Sequence, residues 1–152
     1  MFYLNARILR LAARAMFLAA LLFASGCTSF NHDWKKAAAE TPAQGSMEGR
    51  WQGVWVSDVT HHTDQLRCVV MRQDDGTYRA RFHAKYHKVL SFGYTVPLKV
   101  ELATNGFHFS GVANLGWYAG GMYHYDGTAN ATNFFSTYAC KYDHGTFKMD
   151  RP

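Results

Sequence analysis

The chain has 152 residues, with 16 Lys+Arg against 11 Asp+Glu, 16% aromatic residues and three cysteines. That length holds a single domain with a real core. Its +5 charge is spread along the chain and accompanies no nucleic-acid motif, and no cofactor motif is present.

The first elements are not part of a fold. MFYLNARILRLAAR carries Arg7, Arg10 and Arg14 with no acid, and AMFLAALLFAS (15–25) is free of charge. A basic stretch, a short apolar run and a small-residue exit make a secretory signal peptide over 1–26. The apolar run is shorter than the roughly 20 residues that span a bilayer. Its loss removes three arginines and no acid, leaving thirteen basic and eleven acidic residues, so the remaining chain is close to neutral. Residues 28–47 have no sustained period and mix Ala, Thr, Pro, Gln, Gly and Ser. Together with Cys27 they suit a flexible tether over 27–48.

From Gly49 the pattern becomes period two. In YRARFHAKYH (78–87), Tyr78, Ala80, Phe82, Ala84 and Tyr86 alternate with Arg79, Arg81, His83, Lys85 and His87. That is a strand with one apolar and one wet face. Strands are likewise predicted over 50–57, 65–73, 92–103, 107–114, 122–129, 134–142 and 145–151. Asp74-Asp75-Gly76, Asn105-Gly106, Gly116 to Gly121 and Asp143-His144-Gly145 break them with turn chemistry. Eight short strands with short connections predict an all-β domain over 49–152, an eight-stranded antiparallel up-and-down β-barrel. Pro97 cannot donate to a ladder, so a bulge or bend is expected within the fourth strand.

Two resemblances follow. Ala24-Ser25-Gly26-Cys27 resembles the lipobox of bacterial lipoproteins. That resemblance implies cleavage before Cys27 and lipidation of its sulfur. It also implies a membrane partner through the lipid anchor, with Thr28, rather than Asp, favouring the outer membrane. Gly49-Arg50-Trp51 and Gly53-Val54-Trp55 resemble the G-x-W motif that opens the first strand in lipocalins, fatty-acid-binding proteins and avidins. The resemblance implies a calycin-type, lipocalin-like barrel, with a tryptophan closing one end near an arginine of the last strand. Arg151 is the candidate for that arginine. The T-D-Y signature of lipocalins has no counterpart.

Candidate sites come from the inward apolar sets. Tyr78, Phe82, Tyr86, Tyr94, Phe107, Phe109 and Tyr138 would line a pocket for a small apolar or amphipathic ligand such as an acyl chain. An interior volume of about 300 Å³ or more marks such a pocket. A filled barrel would instead act as a structural or interaction lipoprotein, with the aromatic loop from Trp117 to Tyr123 as its contact. The polar stripe from Arg79 to His87 is expected to be solvated. His61-His62-Thr63-Asp64 invites a metal, but neither C-x-x-C nor H-E-x-x-H accompanies it, so no metal is assigned. No G-x-S-x-G elbow or phosphate loop occurs, and no enzyme is expected. Export would favour a disulfide between Cys68 and Cys140. In a sequential barrel, however, their strands lie three steps of ~4.8 Å apart, beyond the roughly 7 Å that a bridge tolerates.

Overall fold

A computed structural model describes residues 29–42, 45–87 and 90–152. Cys27 and the 1–26 segment lie outside the described residues. The chain forms a closed, antiparallel up-and-down barrel in which eight strands pair in sequence order and the last pairs with the first. They are β1 (Gly49–Ser57), β2 (Thr63–Arg72), β3 (Tyr78–Tyr86), β4 (Leu90–Ala103), β5 (Gly106–Asn114), β6 (Met122–Ala129), β7 (Asn133–Ala139) and β8 (His144–Asp150). The alternation that predicted the strands also sets their faces. Trp51, Cys68, Phe82 and Tyr94 sit opposite one another across successive ladders and point inward.

Three local expectations are corrected. Pro97 makes no bulge, because β3 and β4 keep one register from Tyr78↔Leu98 to Tyr86↔Leu90. Pro97 is tolerated because the β4–β5 ladder stops at Leu98↔Gly111, beside it. Strand β7 ends at Ala139, and Cys140 lies in a turn closed by its own N–H donating to the Asp143 carbonyl. Cys68 is buried in β2 and both cysteines are free. Burial pushes the Cys68 thiol well above its ordinary pKa.

The third correction concerns the tether. Residues 29–39 form a helix, α1, whose second half is made of the good helix formers Lys and Ala and which ends before Pro42. Phe30, Asp33, Trp34 and Ala37, one helical stripe, face the outer wall of β1–β3. Phe30 is 1% exposed; its ring stacks 4.9 Å from His83 and 5.9 Å from Trp34. The Arg67 guanidinium lies over both Phe30 and Trp34, and Arg50 covers Trp34 as well. Asp33 forms an ion pair with Arg81, which also donates to Ser29. The expected solvated stripe is therefore covered at Arg81 and His83. Burial, with Arg67 and Lys85 adding repulsion, holds the His83 pKa below the usual histidine value.

Beyond α1 the chain passes under one end of the barrel and plugs it. Met47 is fully buried, and its carbonyl accepts the Trp51 indole N–H at 2.9 Å. The Arg151 guanidinium lies 3.8 Å from the Trp51 ring centroid and donates to the carbonyls of Ser46 and Glu48. Phe134 packs 5.6 Å from Trp51 and 4.6 Å from Phe109, filling this closed half. Gly53 lies on the β1–β8 seam, where a Cβ would stand 2.0 Å from the Lys148 carbonyl oxygen. Gly145, across the same seam, would put a Cβ 1.9 Å from the Val56 oxygen. Backbone meets backbone there, and only glycine fits.

Candidate functional site

At the other end the interior is not filled. A cavity of about 760 Å³ occupies the open half of the barrel. It lies among the last inward residues of the odd-numbered strands and the first inward residues of the even-numbered ones. Eight aromatic side chains line it: Trp55, Tyr86, Phe92, Tyr94, Tyr118, Tyr123, Tyr138 and Phe147. Ala84, a small residue on the inward face of β3, makes room in the wall.

The cavity also reaches the side of the barrel. Strand β4 pairs with β3 back to Leu90, but with β5 only from Leu98 to Ala103. Residues 90–97 of β4 and 112–114 of β5 form no ladder with each other, which leaves the wall parted toward the open rim. Leu90 and Phe92, on the inward face of β4, are 63% and 45% exposed there. The β5–β6 loop, with its 3-10 turn Trp117–Ala119, stands over the gap and contributes Leu115, Tyr118 and Ala119 to the lining.

The rings are arranged in near-parallel pairs. Tyr94 stacks with Phe82 at 5.2 Å and with Phe92 at 6.3 Å; Tyr138 stacks with Phe147 at 5.0 Å and Tyr123 at 6.1 Å. Such faces accept flat or chain-like apolar groups. Burial pushes the phenols of Tyr94, Tyr123, Tyr125 and Tyr138 above their ordinary pKa, with Asp143 adding to the effect on Tyr138. The phenols therefore stay protonated and neutral at physiological pH. Among the described residues, Asp143 is the one charged side chain in the lining. Its Oδ1 accepts the Ser57 hydroxyl at 2.7 Å and its Oδ2 accepts the Tyr138 hydroxyl at 3.0 Å.

The structure divides the residues singled out in the sequence. Tyr86, Tyr94 and Tyr138 line the cavity. Phe82 lies beneath it in the packed core, and Phe109 belongs to the closed-end cluster with Phe134. Tyr78 and Phe107 sit half-buried toward the closed end, Tyr78 under the Arg72 guanidinium. These four do not line the cavity, because their strands carry them into the filled half. Trp51 and Arg151 meet at the closed end, with Gly49 at the same end and Gly53 on the seam.

Trp55 does not belong with them. Four residues along β1, roughly 13 Å, bring it to the cavity, where its indole donates to the Lys85 carbonyl at 2.9 Å. Trp55, Phe92, Tyr118, Tyr123, Phe147 and Asp143 escaped the sequence-based pocket. Position within each strand would have found all but Tyr118 and Asp143, which come from loops.

The histidine cluster is aromatic packing. The His62 ring lies 5.1 Å from Trp55, 4.8 Å from Tyr86 and 4.5 Å from His87. Its Nε2 is 3.6 Å from Asp64 Oδ2. Among the described residues, no group of three His, Cys, Asp or Glu side chains is placed to hold a metal ion.

The chain matches no protein-family model, no curated protein and no solved structure. The geometry of the site therefore carries the functional reading.

Proposed function

We propose that this chain is a lipid-anchored envelope protein whose barrel holds one amphipathic small molecule in its open half. The observation that carries the reading is the 760 Å³ cavity with aromatic walls, a size within the usual range for small-molecule sites. The parted wall between β4 and β5 gives a path for the ligand that does not require the barrel to unfold. The role is binding rather than catalysis. Among the described residues, the cavity's polar side chains are phenols, Asn114 and one hydroxyl-held carboxylate, a set suited to orienting a ligand. The anchor rests on the lipobox-like run ending in Cys27, and outer-membrane localisation on Thr28 behind it.

Native mass spectrometry of the chain from residue 27 on, with Cys27→Ser, should show a co-purifying mass that organic extraction removes. Refilling from a panel of apolar and amphipathic compounds should raise the melting temperature. A clean unliganded mass with no thermal shift across the panel would overturn the binding reading. It would favour an interaction lipoprotein working through Trp117 and Tyr118, which are 90% and 80% exposed on the rim loop. The anchor has its own test. Cells given radiolabelled palmitate should label the wild-type chain and leave Cys27→Ser unlabelled, and equal labelling of the two would refute lipidation at Cys27.

A further inference from the structure

The polarity of the cavity points to one class of occupant. A fatty acid would bring a carboxylate, and a barrel selecting one needs a cation inside. Among the described residues the lining holds no Lys or Arg, and its charge is the Asp143 carboxylate. Among the described residues Asp143 makes no ion pair. Lys141, two residues away in the same turn, has its ammonium over the Tyr142 ring at 5.1 Å. The hydroxyls of Ser57 and Tyr138 hold the two carboxylate oxygens in place, one bond each. Each oxygen keeps acceptor capacity for a further donor.

We infer that the occupant is an organic ammonium, with its cationic head at Asp143 and its apolar body among the rings toward the gap beside β4. The inference rests on the small-molecule reading above and names its ligand class. Two physical terms support it. A cation beside a carboxylate in a partly dry site gains far more than it would in water, whereas a second carboxylate there is repelled. The faces of Trp55, Tyr94, Tyr123 and Tyr138 attract a cation through their ring quadrupoles. Because the phenols stay neutral, they add acceptors without competing charge.

The experiment uses three probes with one tail: octylammonium, 1-octanol and octanoate. Binding to the chain from residue 27 on, with Cys27→Ser, which keeps every described residue, is measured by calorimetry. Octylammonium should bind at least tenfold more tightly than octanoate, with octanol between them. Asp143→Asn keeps an oxygen for one hydroxyl and an amide for the other; it should erase the preference for the ammonium over octanoate. Phe92→Lys, at a half-exposed position with little at stake for folding, should move octanoate above the ammonium. Circular dichroism checks that both variants are folded. Equal binding of all three probes, or a preference that survives Asp143→Asn, would overturn the ammonium assignment and leave the small-molecule reading standing. Failure of all three to bind would overturn both.

Discussion

Trp51→Ala should lower the melting temperature by roughly 10–20 °C, the largest effect expected from any single substitution in the barrel. Trp51 is fully buried at the closed end. Its loss removes three contacts at once: the ring against Phe134, the cation–π contact with Arg151, and the hydrogen bond to the Met47 carbonyl. Truncating a buried tryptophan costs about 3–5 kcal/mol, a large part of the 5–15 kcal/mol that holds a domain together. Trp51→Phe should recover part of the loss, since it keeps a ring for Phe134 and gives up the indole donor. Thermal denaturation followed by circular dichroism reads the difference. A shift below about 3 °C for the alanine variant would mean that Met47 and Arg151 close the barrel without it.

A chain beginning at residue 48, where the strand pattern starts, should fail to fold cooperatively. It lacks Met47, the plug under Trp51, and all of α1. Phe30 and Met47 are both fully buried, and deleting side chains of this kind costs about 2–5 kcal/mol each. The cut also uncovers Val69, which is 1% exposed on the outer wall of β2, and leaves the Arg50, Arg67 and Arg81 cluster without Asp33. A chain beginning at residue 27 should give one sharp unfolding transition, while one beginning at 48 should give a broad transition or aggregate. Superimposable melts would show that α1 and the Met47 plug are ornament on a self-sufficient barrel.

The barrel was legible because its signals are local. Alternation in 78–86 assigns each side chain to a face, and Asn105-Gly106 or Asp75-Gly76 places a hairpin without reference to anything distant. The helix was not legible. Its stripe is four residues long and one of them is Asp33; the wall it covers offers Arg67, Arg81 and His83, which read as a wet face until Phe30 and Trp34 lie on them. The cavity was half legible for a related reason. Alternation says whether a residue points inward but not how high it stands, so Phe109 and Tyr94 looked alike. Height follows from the topology. In an up-and-down barrel the ends of odd strands and the starts of even strands share a rim. Counting from Trp51 at the closed end would have moved Trp55, Phe92, Tyr123 and Phe147 into the site and Phe107 out of it. Asp143 lies in a turn and carries no periodic signal at all.

The docking of α1 also sets the length of a leash. Only Thr28 stands between Cys27 and Ser29, and Ser29 is held by Arg81 on the wall of β3. Two residues of extended chain reach ~7 Å. A lipid on Cys27 would thus leave the barrel almost no room to stand off from the bilayer. Arg81 is five residues below the Tyr86 rim, roughly 16 Å along the strand. The headgroup layer would lie alongside the barrel's flank, with the parted wall a short diffusive step away. A ligand partitioned in that layer could pass between membrane and cavity without crossing open water.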